Sequence, residues 1–316
     1  MMPWLTAIVP VHDGARHLHA TLAAAAAERP DGVEFLLYDS CDDQGICRQI
    51  AAKFSSQLNL RYVATPDCKP WTAKTNRGAN EAQAQHIVML HQDDLWLPGH
   101  LASLRAAIAR SPDAAMSIAS SQFVDDRGRC VGRWRLPFQP GLHDGMSIAE
   151  TLIVQNTIGI PSPVIQRSAW QAVGGMDESL WYTADWDLYL KLALHGNIDV
   201  RPAITTAFRI HRNSLTMTGS RQKDAFAMQH EIVLERHLPA LPAGLRRRQE
   251  PLARASVAVN CALAAHVGRQ GTGGRNALSH LYHLGPRGIG RFLAATRLID
   301  RAIPRLRLSL PGGLAA

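Results

Sequence analysis

The chain is expected to fold as a doubly wound, mostly parallel (mixed) α/β sheet flanked by helices, with a helical C-terminal extension. Short, continuously apolar runs alternate with helical patterns over the first hundred or so residues, as buried parallel strands and crossover helices do. Acidic residues cluster directly after those runs, at Asp39 and at Asp93-Asp94. From Asp224 onward the pattern is helical, broken only by Pro and Gly.

Taken in order, Leu5 to Val11 is a compact apolar strand ended by His12-Asp13-Gly14, and Ala15 to Glu28 is an alanine-rich helix stopped by Pro30-Asp31-Gly32. Val33 to Tyr38 is a second buried strand that delivers Asp39 at its carboxyl end. Residues 46 to 58 predict a helix, Leu60 to Ala64 a strand, Lys74 to Gln85 a helix and His86 to Leu90 a fourth strand, leading into His91-Gln92-Asp93-Asp94. A helix is expected from Pro98 to Arg110, then one strand from Met116 to Val124 turning at Asp125 to Gly128 into Cys130 to Trp134. Beyond a helix at 184 to 195, residues 135 to 220 mix Pro, Gly and aromatics, as expected of a segment that shapes a second pocket. A soft boundary near residue 222 divides a domain at 1–222 from a basic helical extension at 223–316. In open sheets of this kind ligands sit beyond the carboxyl ends of the strands, where both acidic clusters fall.

Bulk properties narrow the partners. At 316 residues and 46% hydrophobic, the chain can bury one large core with a smaller appendage. No apolar run is long enough to span a bilayer, and five cysteines without a CxxC pair suggest reduced thiols rather than a disulfide or zinc framework. The expectation is a cytoplasmic protein. The formal charge of +8 comes largely from late arginines, Arg246 to Arg248 and Arg287 through Arg307, outside the acidic clusters. No nucleic-acid-binding module is visible, so a nucleic-acid partner is not expected. A solvated basic face and a peripheral contact with anionic membrane, at its inner face, both remain open. A nicotinamide-dependent oxidoreductase is disfavoured because the first strand ends in Pro10-Val11-His12-Asp13-Gly14 without GxGxxG.

Adjacent carboxylates at a strand end repel each other unless a cation or donor neutralises them. Asp93 and Asp94 suit Mg2+ or Mn2+, which bind one or two carboxylates together with phosphate oxygens. On its own, though, the pair could equally cap the following helix.

The company the pair keeps carries more. Ile8-Val9-Pro10-Val11-His12-Asp13-Gly14, Leu37-Tyr38-Asp39-Ser40-Cys41-Asp42-Asp43, Thr75-Asn76-Arg77-Gly78 leading into Met89 to Pro98, and Val173-Gly174-Gly175-Met176-Asp177-Glu178 followed by Thr183-Ala184-Asp185-Trp186-Asp187 occur in this order. Together they resemble the family 2 glycosyltransferases, inverting enzymes of the GT-A fold, over roughly residues 5 to 217. The resemblance implies a metal-assisted transfer of a sugar from a nucleotide-diphosphate donor, a UDP-sugar first among them, to a hydroxyl of a glycan or lipid-linked saccharide, in polysaccharide or cell-envelope synthesis. It implies that Asp39 accepts from the nucleotide base beside Pro10 and His12, and that Asp93 and Asp94 hold the metal and the ribose or diphosphate. Asp185 becomes the general base, with Asp187 the fallback on the same helix. Gly174 and Gly175 allow close backbone approach, His211 in Phe208-Arg209-Ile210-His211 is a further metal or diphosphate contact, and Lys74, Asn76 and Arg77 lie along the donor. Trp181 and Tyr182 could stack on a sugar ring. The chain departs from the family pattern twice, with His91 where the aspartate pair's motif begins with Asp and with Ala184 where Glu precedes the base. Those departures leave a catalytically impaired nucleotide-sugar-binding protein as the alternative.

Overall fold

The structure, a computed structural model, describes residues 2–211, 223–267 and 274–309. The proposed boundary at 222 and the stretch following His211 lie outside the described residues. In chain order the strands are β1 Leu5–Val11, β2 Val33–Asp39, β3 Asn59–Ala64, β4 His86–Met89, β5 Leu95–Trp96, β6 Met116–Ala119, β7 Ser121–Val124, β8 Cys130–Trp134, β9 Gly141–His143, β10 Val164–Gln166, β11 Ile198–Arg201 and β12 Thr206–Arg209. The longer helices are α1 Leu18–Ala27, α2 Gln44–Ala52, α3 Trp71–Glu81, α4 His100–Arg110, α5 Gly145–Leu152, α6 Arg167–Ala172 and α7 Ala184–His195, then α8 Lys223–His237, α9 Ala243–Val267, α10 Gly274–Thr296 and α11 Leu298–Ser309.

An eight-stranded sheet runs β3-β2-β1-β4-β10-β6-β11-β9. Its first four strands are parallel, β10 is antiparallel to both neighbours, and β11 pairs parallel with β6. Both β1 and β2 are buried along their whole length, which is why they read as unbroken apolar runs. The order places β1 between β2 and β4, so the chain's crossovers diverge at the carboxyl ends of β1 and β4. This is the point where an open sheet leaves a crevice.

Two expectations are revised. The helix expected from Lys74 to Gln85 begins at Trp71, behind Pro70, and ends at Glu81. It stops because the next free amides are taken from outside: Gln83 N donates to Glu34 Oε2 (3.2 Å) and Ala84 N to Thr6 Oγ1 (3.3 Å). The single strand expected from Met116 to Val124 is two strands in two sheets, separated at Ser120. β6 completes its pairing with β11 at Ala119 opposite Arg201, after which both chains leave together and re-pair as β7 and β12. The second sheet, β5-β12-β7-β8, takes up the chain after the carboxyl ends of β4, β6 and β11. Apolar periodicity is the same on either side of Ser120, so it carries no sign of the exchange.

The C-terminal helices do not form a core of their own. Val233, Leu234, Leu252, Ala253 and Phe292 belong to the same apolar cluster as Ile8, Met89, Ile118, Trp186 and Tyr189. No described helix is long and apolar enough to cross a membrane.

Candidate active site

A cavity of about 860 Å³ opens at the carboxyl ends of β1 and β4 and continues beneath the C-terminal helices. Its polar end is lined by Pro10, His12, Lys74, His91, Asp93 and His211, and Asp185 faces it farther along.

Strand ends build the polar end. Gln92, which sequence reasoning left without a role, ties β1 to β4: His12 N donates to Gln92 Oε1 (2.7 Å) and Gln92 Nε2 donates to His12 O (2.6 Å). Gly14 is required beside this clamp, since a Cβ there would lie 2.9 Å from Gln92 Oε1 and 2.6 Å from Val11 Cγ1. The only sign of Gln92 in the sequence was its place within His91-Gln92-Asp93-Asp94. Lys74, 1% exposed, donates from Nζ to Val11 O (2.7 Å) and Ser40 Oγ (2.8 Å), and burial lowers its ammonium to about 8. It is therefore a fixed cation at the meeting of β1 and β2.

The aspartate pair divides. Asp93 faces the cavity, and its Oδ2 lies 2.9 Å from His211 Nε2. Burial works against its ionisation, but the His211 contact and the neighbouring imidazoles outweigh that and hold the carboxyl below its usual range. Asp94 stands apart: it is 1% exposed, does not line the cavity, and accepts from Arg209 N (3.1 Å) through Oδ1. Burial and the Asp93 charge push it well above the ordinary carboxylate range. β12 decides this. It pairs antiparallel with β5, Ala207 opposite Leu95, so its last residue, Arg209, and the Ile210-His211 that follow run back across Asp94 and Asp93. The Asp93 and His211 donor set fits a divalent cation, being a carboxylate oxygen and an imidazole nitrogen already at ligand-to-ligand spacing and open to the cavity. Burial holds His91 neutral, lowered to about 4, with its ring edge-on to Trp71 at 5.0 Å.

The Asp185 end is built differently. Asp185 lies in the first turn of α7, where Oδ1 accepts from Trp186 N (2.8 Å) and Oδ2 from Asn156 Nδ2 (2.9 Å). Burial raises its carboxyl to about 6 against those donors. The loop leading to it is pinned from α8: Gln229 Oε1 accepts from Tyr182 N (2.8 Å) and Gln229 O from Thr183 Oγ1 (3.3 Å). Neither Asn156 nor Gln229 belongs to a motif that the sequence reading used.

Asp187, the fallback base, is excluded by its surroundings. It is 0% exposed, and its oxygens meet Arg236 Nη1 (2.7 Å), His237 Nε2 (2.8 Å) and Lys191 Nζ (2.7 Å). Burial opposes ionisation, yet the hydrogen bonds from His237 and Lys191 bring the carboxyl down to about 2. It joins α7 to α8 and does not reach the cavity.

Four further expected site residues, Asp39, Asn76, Gly174 and Gly175, lie outside the cavity lining. Asp39 is fully buried and both its oxygens are engaged, by Cys41 N (2.8 Å) and Tyr62 Oη (2.6 Å). Asn76 braces the turn after α6, accepting from Met176 N (2.9 Å) and donating to Met176 O (2.9 Å) and Glu178 Oε1 (2.9 Å). Gly174 and Gly175 form that turn at φ of +77° and +66°, and a Cβ on Gly175 would lie 2.8 Å from both Asn76 Oδ1 and Trp170 Nε1. The paired glycines thus serve a tight turn beneath the site. Trp181 and Tyr182 do line the cavity, with Trp181 O accepting from Trp71 Nε1 (3.0 Å) and the Tyr182 ring 4.6 Å from Phe226 on α8. Beyond them the wall turns apolar, with Trp134, Ile160, Phe208, Phe226, Leu263 and Leu298.

Residues 6–157 match the model of glycosyl transferase family 2. An uncharacterized glycosyltransferase of Rickettsia prowazekii is 21% identical over 229 residues, 71% of this chain and 69% of that protein. A second, from Rickettsia typhi, is 20% identical over 226 residues, again 71% of this chain and 69% of its own. Among solved structures, TarS of S. aureus in complex with UDP-GlcNAc shares the fold with a TM-score of 0.60 at 14% identity, covering 98% of this chain and 85% of that one. The mannosyltransferase PcManGT of Pyrobaculum calidifontis, in complex with GDP-Man and Mn2+, gives 0.57 at 17% identity over 93% and 86%. The sequence match over residues 6–157, the relatives and the cavity at the carboxyl ends of β1 and β4 agree in a likeness to glycosyltransferase family 2.

Proposed function

We propose that the chain transfers a hexosyl group, with inversion, from a nucleotide-diphosphate sugar to a hydroxyl of a glycan or lipid-linked saccharide, in polysaccharide or cell-envelope synthesis. The observation that carries this reading is the placement of two differently tuned carboxylates, Asp93 and Asp185, on one cavity. Asp93 and His211 would hold a divalent cation, Mn2+ or Mg2+, whose charge offsets that developing on the departing diphosphate. Lys74 adds a fixed positive charge at the same end, and Pro10 and His12 present the end of β1 to the nucleotide. Asp185, ionised near neutral pH, accepts the proton of the acceptor hydroxyl. The acceptor oxygen then bonds to the anomeric carbon from the face opposite the nucleotide, the bond to the diphosphate oxygen breaks, and the configuration inverts. Water is kept from competing by Trp71, Trp181 and Tyr182 around the middle of the cavity.

A UDP-sugar is the first donor to test, with GDP- and dTDP-sugars beside it; UDP-GlcNAc and GDP-Man are the donors bound by the two structural neighbours. The apolar wall of Phe208, Phe226 and Leu263 supports an acceptor that carries a non-polar portion. Peripheral membrane contact has support in exposed Leu278, Tyr282 and Ile299 on α10 and α11, which also carry exposed Arg287 and Arg291. A thermal-shift series of nucleotide sugars with Mn2+ or Mg2+ tests the donor end, since a ligand that binds only the folded state raises its stability. One donor class is expected to raise the melting temperature in a metal-dependent manner, and NMR of the product to show the inverted anomer. Retention of configuration, or no stabilisation by any donor with either metal, would overturn the reading.

A further inference from the structure

We propose that Arg301 receives the phosphate of a lipid-phosphate-linked acceptor, whose saccharide reaches from there to Asp185 and whose hydrocarbon lies against the apolar wall. The proposal rests on the transfer reading above and specifies its acceptor as an anionic lipid-linked saccharide rather than a neutral glycan.

The C-terminal helices build the far end of the cavity. α9 contributes Asn260, Leu263 and Ala264, and α11 contributes Leu298, Arg301 and Ala302. Spacings of three and four residues put the three α11 side chains on one face of that helix. Ile299 and Ile303, 62% and 42% exposed, lie off that face. α11 is seated on the second sheet: a Cβ on Gly132 of β8 would lie 2.6 Å from Pro304 Cγ, and Arg135 Nη1 is 3.8 Å from Asp300 Oδ1. Burial above all, with the Arg301 charge adding to it, holds the neighbouring His230 neutral, lowered to about 4. Among the described residues, these helices thus bring one guanidinium and no carboxylate to a lining that is otherwise apolar or neutral.

A line of hydrogen bonds runs from Arg301 to Asp185 along the same wall. Arg301 donates from Nη1 to Thr296 O (3.3 Å) and from Nη2 to Asn260 Oδ1 (3.3 Å). Asn260 Nδ2 donates to Gln155 Oε1 (2.8 Å), which also accepts from Ser256 Oγ (2.8 Å), and this turns the amide oxygen of Asn260 toward the guanidinium. Gln155 Nε2 donates to Asn156 O (3.2 Å), and Asn156 Nδ2 to Asp185 Oδ2 (2.9 Å). Arg301, Asn260, Gln155, Asn156 and Asp185 all line the cavity, so a row of amides that suits sugar hydroxyls separates the guanidinium from the carboxylate. A guanidinium pairs with phosphate through charge-assisted hydrogen bonds that strengthen where water is excluded. A neutral glycan makes no use of the guanidinium or of Phe208, Phe226, Leu263 and Leu298; a phosphate borne on a hydrocarbon chain uses both.

Calorimetric titration of the full chain with decyl phosphate, decyl glucoside and inorganic phosphate, each below its micelle concentration, tests this. Decyl phosphate is expected to bind about 10-fold or more tightly than either of the others. Arg301→Gln should bring it down to the affinity of decyl glucoside, Arg301→Lys should keep part of the preference, and Arg291→Gln, on the exposed side of α10, should keep all of it. Nucleotide-sugar affinity should be the same in all these chains, which also reports that each is folded. Inorganic phosphate binding as tightly as decyl phosphate would assign the site to a water-soluble phosphate and overturn the lipid-linked acceptor. Equal affinity for decyl phosphate and decyl glucoside, or a preference that survives Arg301→Gln, overturns the Arg301 site while the donor end stands on its nucleotide-sugar binding. If decyl phosphate binds through Arg301 but no nucleotide sugar binds with either metal, the transfer reading falls and the acceptor assignment falls with it.

Discussion

Asp93 and Asp185 face one cavity from opposite kinds of framework, and their surroundings move their protons in opposite directions. At the donor end the framework is strand termini: β1 and β4 are locked by the Gln92–His12 amide pair, Lys74 supplies a buried charge, and His211 holds Asp93 ionised. At the base end it is helices and loops. Among the described residues Asp185 has no cationic partner; it meets the amide of Trp186 and the side chain of Asn156, and burial lifts it to about 6. The contrast recurs within one turn of α7, where Asp187 is pulled to about 2 by His237 and Lys191 with Arg236 beside them. Two aspartates two residues apart thus divide into a carboxyl raised by burial and one held in ion pairs, decided by which face of the helix meets α8.

The sharpest way to break this comparison is to remove the Asp185 carboxylate. Asp185→Asn is expected to lower turnover by about 10² to 10⁴ while nucleotide-sugar affinity, measured by calorimetry, stays near that of the unsubstituted protein. Turnover retained in that variant would return the search for a base to the rest of the cavity. Asp187→Asn should do the reverse, leaving the chemistry largely intact but costing about 3 kcal/mol of stability by stranding its cationic partners, read as a fall of several degrees in the melting temperature. Its folded-state value lies below the ordinary carboxylate value, so the stability it contributes is complete above about pH 4 and is lost as pH falls toward about 2. In Asp187→Asn that acid-dependent loss should shrink, and an unchanged acid limb would argue against the ion pair. The smallest effect is expected from Asn156→Ala. Rate should fall as pH drops through about 6, where Asp185 takes up a proton. Removing the Asn156 donor, which favours the carboxylate, should shift that limb upward by about half to one pH unit. A limb that moves downward, or stays fixed, would mean that Asn156 does not tune the base.

Much of this was legible beforehand for a local reason. β1, β2 and β4 are buried on both faces and read as continuous apolar runs, so their carboxyl ends, with Asp39 and Asp93-Asp94, were placed correctly. What misled was proximity along the chain. Asn76, Gly174 and Gly175 belong to the stretches that carry the family resemblance, but they pack against one another as a turn beneath the site. Residues that do brace it, Asn156 and Gln229, are isolated polar positions with no period or motif to mark them.

The sequence by itself determined the alternation of strand and helix, the order of the motifs and the strand ends that open onto the cavity, because each depends on residues within a few positions of one another. Only the tertiary structure decided that Met116 to Val124 splits between two sheets, that β12 turns Asp94 inward and leaves Asp93 to His211, and that α8 separates Asp185 from Asp187. Each of those outcomes is set by a partner at least 49 residues away, and a carboxylate's charge and direction follow from what lies against it rather than from its neighbours in the chain.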